Sequence, residues 1–237
     1  YRLSDNIRIS NPKKPNVFNA KQKTEMVTEA YTVFEKCRDS NYDKVPEGYN
    51  IIWENVLIAD INGKPCVFKT GKYAGYFASA TALKNGLTEN KGECDCNNQV
   101  NPFEVPTLVI AGGQNIVKRY GAKVGDLVAA YNSTNHNIVY SIIGDTGPEN
   151  NLGEGSVILN MKLLDKTDFP KTRNETYSLA TKKDILICII PKSSSFIAEK
   201  PFTQENIKNG ILKWFAGQGY DSEKKLIEFF ENNKSEL

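Results

Sequence analysis

The stretch Asp126-Leu127-Val128-Ala129-Ala130-Tyr131-Asn132-Ser133-Thr134-Asn135-His136-Asn137-Ile138-Val139-Tyr140-Ser141-Ile142-Ile143-Gly144-Asp145 sets the fold class. Two apolar runs, 126–131 and 138–144, flank a wholly polar link. Each run is too short for a stable helix and suits a strand. The Asn/Ser/Thr-rich link reads as a hairpin loop, because such side chains satisfy turn backbone locally.

Working outward, the same texture recurs. Short apolar runs at Ile51–Ile61, Tyr73–Leu83, Pro106–Ala111, Ser156–Leu164 and Ile185–Ile190 are separated by Gly, Pro, Asn and Asp. Strands at this spacing suggest a barrel or a sandwich; the expectation is a mainly β domain within an α+β chain, a small barrel of about six strands. The run 155–164 fits a short helix as well as a strand, since periodicity alone does not separate the two. Beyond the β region the period changes. Met26, Val27, Ala30, Val33, Phe34 and Cys37 recur at three and four, predicting an N-terminal helix over 19–38 with Asn19 as its cap. Thr203 caps a run whose apolar face is Ile207, Ile211, Leu212 and Phe215, stopped at Gly217-Gln218-Gly219. Ser222 caps a second, with Leu226, Ile227, Phe229 and Phe230 inward. The expected organisation is an arm and helix over 1–44, a β-barrel domain over 45–200, and a helical extension over 201–237 packed on that domain.

Composition narrows the chemistry. The 237 residues carry 30 Lys+Arg against 28 Asp+Glu, a net charge of +2. Near-neutrality argues against nucleic acid as the main partner. No window is apolar enough for a membrane span. The single histidine, His136, leaves no material for a His-rich metal site, and its place in the hairpin loop reads as surface. The five cysteines form no C-x-x-C pair. Cys94-Asp95-Cys96 is at most half of a metal site, and free thiols with one disulfide is the plainer reading. Gly112-Gly113 lacks the pattern of a nucleotide-binding loop. No metal or cofactor is expected. The chain opens at Tyr1 without an apolar leader, and Asn132, Asn174 and Asn233 head Asn-x-Ser/Thr triplets. A secreted or cell-envelope protein with its signal peptide removed is the expectation.

The unusual segment is Ile142-Ile143-Gly144-Asp145-Thr146-Gly147-Pro148-Glu149-Asn150-Asn151-Leu152-Gly153-Glu154-Gly155-Ser156. A strand ends at an acid, turn residues follow, and a second acid sits between two glycines. Paired carboxylates at one site are what glycoside hydrolysis needs: one protonates the leaving oxygen, the other activates water or attacks carbon. The plain alternative is that Asp145 stabilises a turn and Glu154 is a solvated surface acid. Asp60 and Asn62, before Gly63, are candidates for sugar hydroxyl or amino groups, or else form a turn. Tyr73, Tyr76, Phe77 and Trp53 could stack on sugar rings, though such aromatics more often sit in a core. Asp126, after Gly125 at a strand start, reads as a structural turn residue.

Three ordered blocks carry a resemblance: Gly121-Ala122-Lys123-Val124-Gly125-Asp126-Leu127, Val139-Tyr140-Ser141-Ile142-Ile143-Gly144-Asp145-Thr146-Gly147-Pro148, and Leu152-Gly153-Glu154-Gly155-Ser156. With supporting blocks at 60–66 and 101–110, the chain resembles the fungal-type chitosanases of glycoside hydrolase family 75. The likeness spans 60–156. It implies an endo-acting, inverting hydrolase of β-1,4-linked glucosamine polymer with Asp145 and Glu154 as essential acids. Inversion implies carboxyls about 6.5–9.5 Å apart. A looser likeness to barrel-type polysaccharide enzymes, whose catalytic Asp also follows a strand, points to a double-psi barrel. Strand-end N–H groups are expected to lower the pKa of Asp145 and make it the general base, with Glu154 as general acid. The implied partner is an amino-sugar polysaccharide, acted on by a monomer. The helical tail over 201–237 departs from the family pattern. That departure leaves open another amino-sugar glycan, such as peptidoglycan, as the target of a hydrolase or lyase, or a non-catalytic glycan-binding barrel.

The charge is unevenly spread. Residues 41–165 hold 10 basic and 13 acidic groups, while both flanks are net basic. An acidic middle segment suits a protonated glucosamine polymer despite the slightly basic whole.

Overall fold

The computed structural model describes residues 8–10, 50–52, 58, 66, 70–73, 78–85, 94, 98–147, 149, 153–170, 173–181, 184–196 and 198–234. The expected N-terminal helix over 19–38 lies outside them. The chain divides into two compact units. One comprises Tyr1–Ala80 with Glu89–Gln99, the other Thr81–Thr88 with Val100–Leu237.

In the first unit, β1 (Arg8–Ser10) pairs antiparallel with β2 (Asn50–Ile52). Backbone hydrogen bonds link Ile58 to both Cys66 and Ala78, and Ala78 to Cys66. Cys66 is joined to Cys94 by a disulfide with a sequence separation of 28. In the chain-entropy picture, closing a loop of that length stabilises the fold by about 3–4 kcal/mol.

The second unit is built on a mixed sheet. Its strands are β3 (Thr107–Ala111), β4 (Leu127–Asn132), β5 (Ile138–Gly147), β6 (Glu154–Gly155) and β7 (Ile185–Ile190). Their order is β6-β3-β5-β4-β7, with β3 parallel to β5 and the other pairs antiparallel. The β4–β5 hairpin turns at the polar link expected from sequence: Asn132 N–H donates to the Asn137 carbonyl at 2.9 Å. The helices are α1 (Ile116–Arg119), α2 (Val157–Leu163), α3 (Arg173–Tyr177), α4 (Gln204–Gly217) and α5 (Glu223–Asn233). The ambiguous run after Gly155 is therefore a helix. Ser156 caps it, its Oγ accepting from Leu159 N–H.

Every residue of β4 is buried. A strand apolar on both sides must be covered on both sides, and each cover is visible. Leu127, Ala129 and Tyr131 join Ile142, Leu186 and Ile190 on one face, against Ile207, Ile211 and Phe215 of α4 and Leu226 and Phe230 of α5. Val128 and Ala130 join Leu108, Ile110, Val139 and Ile143 on the other, against Leu159 and Leu163 of α2. Each large side chain buried this way contributes roughly 1.5–3 kcal/mol relative to exposure. The two C-terminal helices begin at the caps read from sequence, Thr203 and Ser222, whose hydroxyls accept from Asn206 N–H and Lys225 N–H.

The α+β class is as expected, but the described residues form an open five-stranded sheet and not a closed six-stranded barrel. The reason is local. At one edge the chain leaves β6 after two residues, because Ser156 turns it into α2. At the other edge, among the described residues, β7 pairs only with β4. The sheet is nonetheless curled: a Cβ placed on Gly153, just before β6, would lie 4.0 Å from Cδ1 of Ile187 on β7. The edges approach without a hydrogen-bonded ladder between them.

Candidate active site

Asp145 sits near the end of β5, just past an irregularity. Leu108 is opposite Ile143 and Val109 is opposite Asp145, so Gly144 is an extra residue in the ladder. Strict alternation would have placed Asp145 on the α2-covered face with Ile143. The bulge re-aims it to the face of Val109, a common use of bulges beside functional sites. Glycine relieves crowding there: a Cβ at Gly144 would stand 3.0 Å from both Cβ and Cγ2 of Thr107, so Thr107 would have to give way. One carboxylate oxygen of Asp145 accepts Thr146 N–H at 2.8 Å.

Glu154 stands on β6, and its neighbours in the Gly-Glu-Gly-Ser motif hold it there. Gly153 adopts φ +87°, in the left-handed region. A Cβ on Gly155 would collide with the Asn160 amide oxygen and force that side chain, whose Nδ2 donates to the Leu179 carbonyl at 3.1 Å, to move. Ser156 is a buried hub: its Oγ accepts Thr107 N–H at 2.9 Å and donates to the Val105 carbonyl at 3.3 Å. These bonds fasten the start of α2 to the start of β3 and so fix β6 beside β3. Glu154 itself is exposed.

The two acids meet across Val109. Val109 is the register partner of Asp145 on one side and of Glu154 on the other. Cross-strand partners share a face, so both carboxylates rise from the same side of the sheet, two strands apart. Two inter-strand spacings put their Cα atoms roughly 10 Å apart.

Burial raises the pKa of Asp145 above the ordinary aspartate value, opposed by backbone hydrogen bonds from Thr146 and Ala82 and by the charge of Lys84. The strand-end donors expected to lower it are present, and desolvation outweighs them. Lys84, which nothing in the sequence singled out, belongs to a segment docked on the bulge. Leu83 N–H donates to the Gly144 carbonyl at 3.0 Å. Thr81 Oγ1 donates to the Leu83 carbonyl at 2.7 Å, and Lys84 Nζ donates to the Thr81 carbonyl at 2.6 Å.

Of the other candidates, Asp60, Asn62 and Tyr76, with Trp53 and Phe77, lie outside the described residues. Tyr73 belongs to the first compact unit and is buried, with the Lys72 ammonium 5.4 Å from its ring centroid. That is the setting of a packed ring, as the core alternative has it. Asp126 is fully buried. It accepts Lys123 N–H and Lys192 N–H at Oδ2, both at 3.0 Å, and Ser194 N–H at Oδ1 at 2.9 Å. The Gly-Ala-Lys-Val-Gly-Asp block thus staples two turns together. His136 is exposed at φ +62° in the hairpin, with Nδ1 2.5 Å from the Tyr131 hydroxyl. The Glu149 side chain lies against Gly113, so a negative group already stands where an anion cradle would be. Cys94 is spent in the disulfide, which removes it as a metal thiolate.

Among the described residues no cluster of His, Cys, Asp or Glu is arranged to hold a metal ion, and no helix is long and apolar enough to cross a membrane. Comparison with protein-family models and with curated proteins finds no match to this chain.

Proposed function

We propose that this protein is an endo-acting glycoside hydrolase that cleaves a β-1,4-linked amino-sugar polymer of the chitosan type with inversion. The observation that carries the proposal is the placement of Asp145 and Glu154 on either side of Val109, on one face of the sheet. Carboxylates on adjacent strands would stand near the 5–5.5 Å of a retaining enzyme. Two strands apart, a short and a long side chain reach the wider separation that leaves room for water.

The roles follow from environment. Asp145, half-buried and with its pKa raised by burial, suits the general acid. Glu154, exposed on the sheet edge, suits the base. This reverses the assignment favoured by sequence. Asp145 gives its proton to the glycosidic oxygen as the C1–O bond breaks. Glu154 takes a proton from the water whose oxygen attacks C1 from the opposite face. The acidic balance of residues 41–165 favours a cationic polymer. The Cys66–Cys94 disulfide favours an exported protein, since such bonds persist in oxidising compartments. The six-stranded, double-psi barrel belongs to the same proposal.

The test is release of reducing ends from chitosan and partially acetylated chitosan. The wild-type chain should release them, while Asp145→Asn and Glu154→Gln should fold normally and release none. Binding of polymer by the wild-type chain with no new reducing ends would overturn the hydrolase in favour of a glycan-binding module.

A further inference from the structure

Asp145 is held from the side by the short segment Thr81–Asn85, which is remote from it in sequence. Leu83 N–H is bonded to the carbonyl of the bulged Gly144, and Ala82 donates to the Asp145 carboxylate. The segment is itself anchored at both ends. Val100 N–H donates to Thr81 Oγ1 at 3.1 Å, and Phe202 N–H donates to Asn85 Oδ1 at 2.7 Å. Lys84 lies between these anchors. Its ammonium is tied to the Thr81 carbonyl and interacts electrostatically with Asp145.

We propose that Lys84 is a positioning residue for Asp145: its tethered ammonium stabilises the carboxylate left when the proton has passed to the leaving oxygen. The inference rests on Asp145 being the general acid and adds a residue that acts through it. Lys84 is an exposed side chain whose ammonium donates to the Thr81 carbonyl within its own segment, and the backbone bonds to Gly144 and Asp145 dock that segment against the acid. Among the described residues the charged groups around Asp145 are few. Lys84 faces it from the segment 81–85. Glu154 stands across Val109 on β6, and β3 offers Thr107, Val109 and Ala111, none of them charged, on that face. Glu149 lies farther along, against Gly113. Burial of Lys84 lowers its own pKa while Asp145 opposes that effect, so the coupling runs both ways.

The experiment is a carboxylate NMR titration of Asp145 in the full chain, compared among wild type, Lys84→Met and Lys84→Arg, with a pH–rate profile on the same samples. Lys84→Met should move the Asp145 midpoint up by about one unit. It should move the basic limb of kcat up with it and lower the kcat plateau, leaving KM nearly unchanged. Lys84→Arg should restore both midpoint and limb. A merely structural lysine would alter thermal stability and leave the midpoint in place. An unchanged Asp145 midpoint in folded Lys84→Met would overturn the proposal. The titration needs no substrate. A chain in which the midpoint moves but wild type cleaves no amino-sugar polymer would keep Lys84 coupled to Asp145 while refuting both the hydrolase and the catalytic part of this inference.

Discussion

Replacing Asp126 by asparagine changes one oxygen to an amide nitrogen in a fully buried site where three backbone N–H groups converge. Oδ2 receives two of them, from Lys123 and Lys192, and Oδ1 receives one, from Ser194. The better amide orientation keeps the pair and sets its nitrogen against Ser194 N–H; the other orientation loses two bonds. A hydrogen bond to a charged group contributes about 1.5–3 kcal/mol net, and an orphaned buried donor costs about 1–3 kcal/mol. The substitution should therefore cost about 2–4 kcal/mol, a large share of the roughly 5–15 kcal/mol that holds a domain together. With a urea slope of about 2 kcal/mol/M, the midpoint of unfolding falls by about 1–2 M. The folded fraction should keep near-normal reducing-end release, because Asp126 faces the turns and not Val109. A midpoint within 0.2 M of wild type, in roughly the scatter of such fits, would refute the staple. Loss of activity at full stability would refute its purely structural role.

Three further outcomes are expected. Gly144→Ala drives a Cβ into Thr107 and should cost about 1–3 kcal/mol by thermal melting, with loss of hydrolysis as Asp145 is re-aimed; adding Thr107→Ser removes one of the two clashing carbons and should recover part of both. Burial pushes the Cys188 thiol up to about 11, so iodoacetamide at pH 8 should leave it unmodified in peptide maps until denaturant is added. Burial also raises Asp145 above its unfolded value, so its contribution to stability is present at acid pH and lost as pH rises through the folded-state pKa. Asp145→Asn should therefore unfold at higher denaturant than wild type at pH 7 and show no such gain near pH 3; the opposite trend would refute burial as the dominant effect.

Local signals carried much of the fold. The polar link after Tyr131 marked the hairpin, and Thr203 and Ser222 marked the helix starts, because turns and caps are decided within a few residues. The turns around Asp145 and Glu154 were visible for the same reason: each lies in a motif whose glycines and serine shape its own backbone. What stayed hidden depends on partners distant in sequence. The bulge at Gly144 exists only against Thr107, and Lys84 gains meaning only when its segment docks on β5. Strand-end N–H groups suggested a lowered pKa for Asp145, but sequence carries no measure of desolvation, which prevails. The short apolar runs suggested a closed barrel. Ser156, in a run that fitted a helix as well as a strand, caps a helix and ends β6 after two residues.

The central claim is that Asp145 and Glu154, set two strands apart, hydrolyse a β-linked amino-sugar chain with inversion. The direct measurement is proton NMR of the newly formed reducing ends in the first minutes of chitosan oligosaccharide cleavage. The α-anomer should appear first and then mutarotate, and Asp145→Asn and Glu154→Gln should each give no signal. An initial β-anomer, or α-anomer release that persists in both variants, would contradict it.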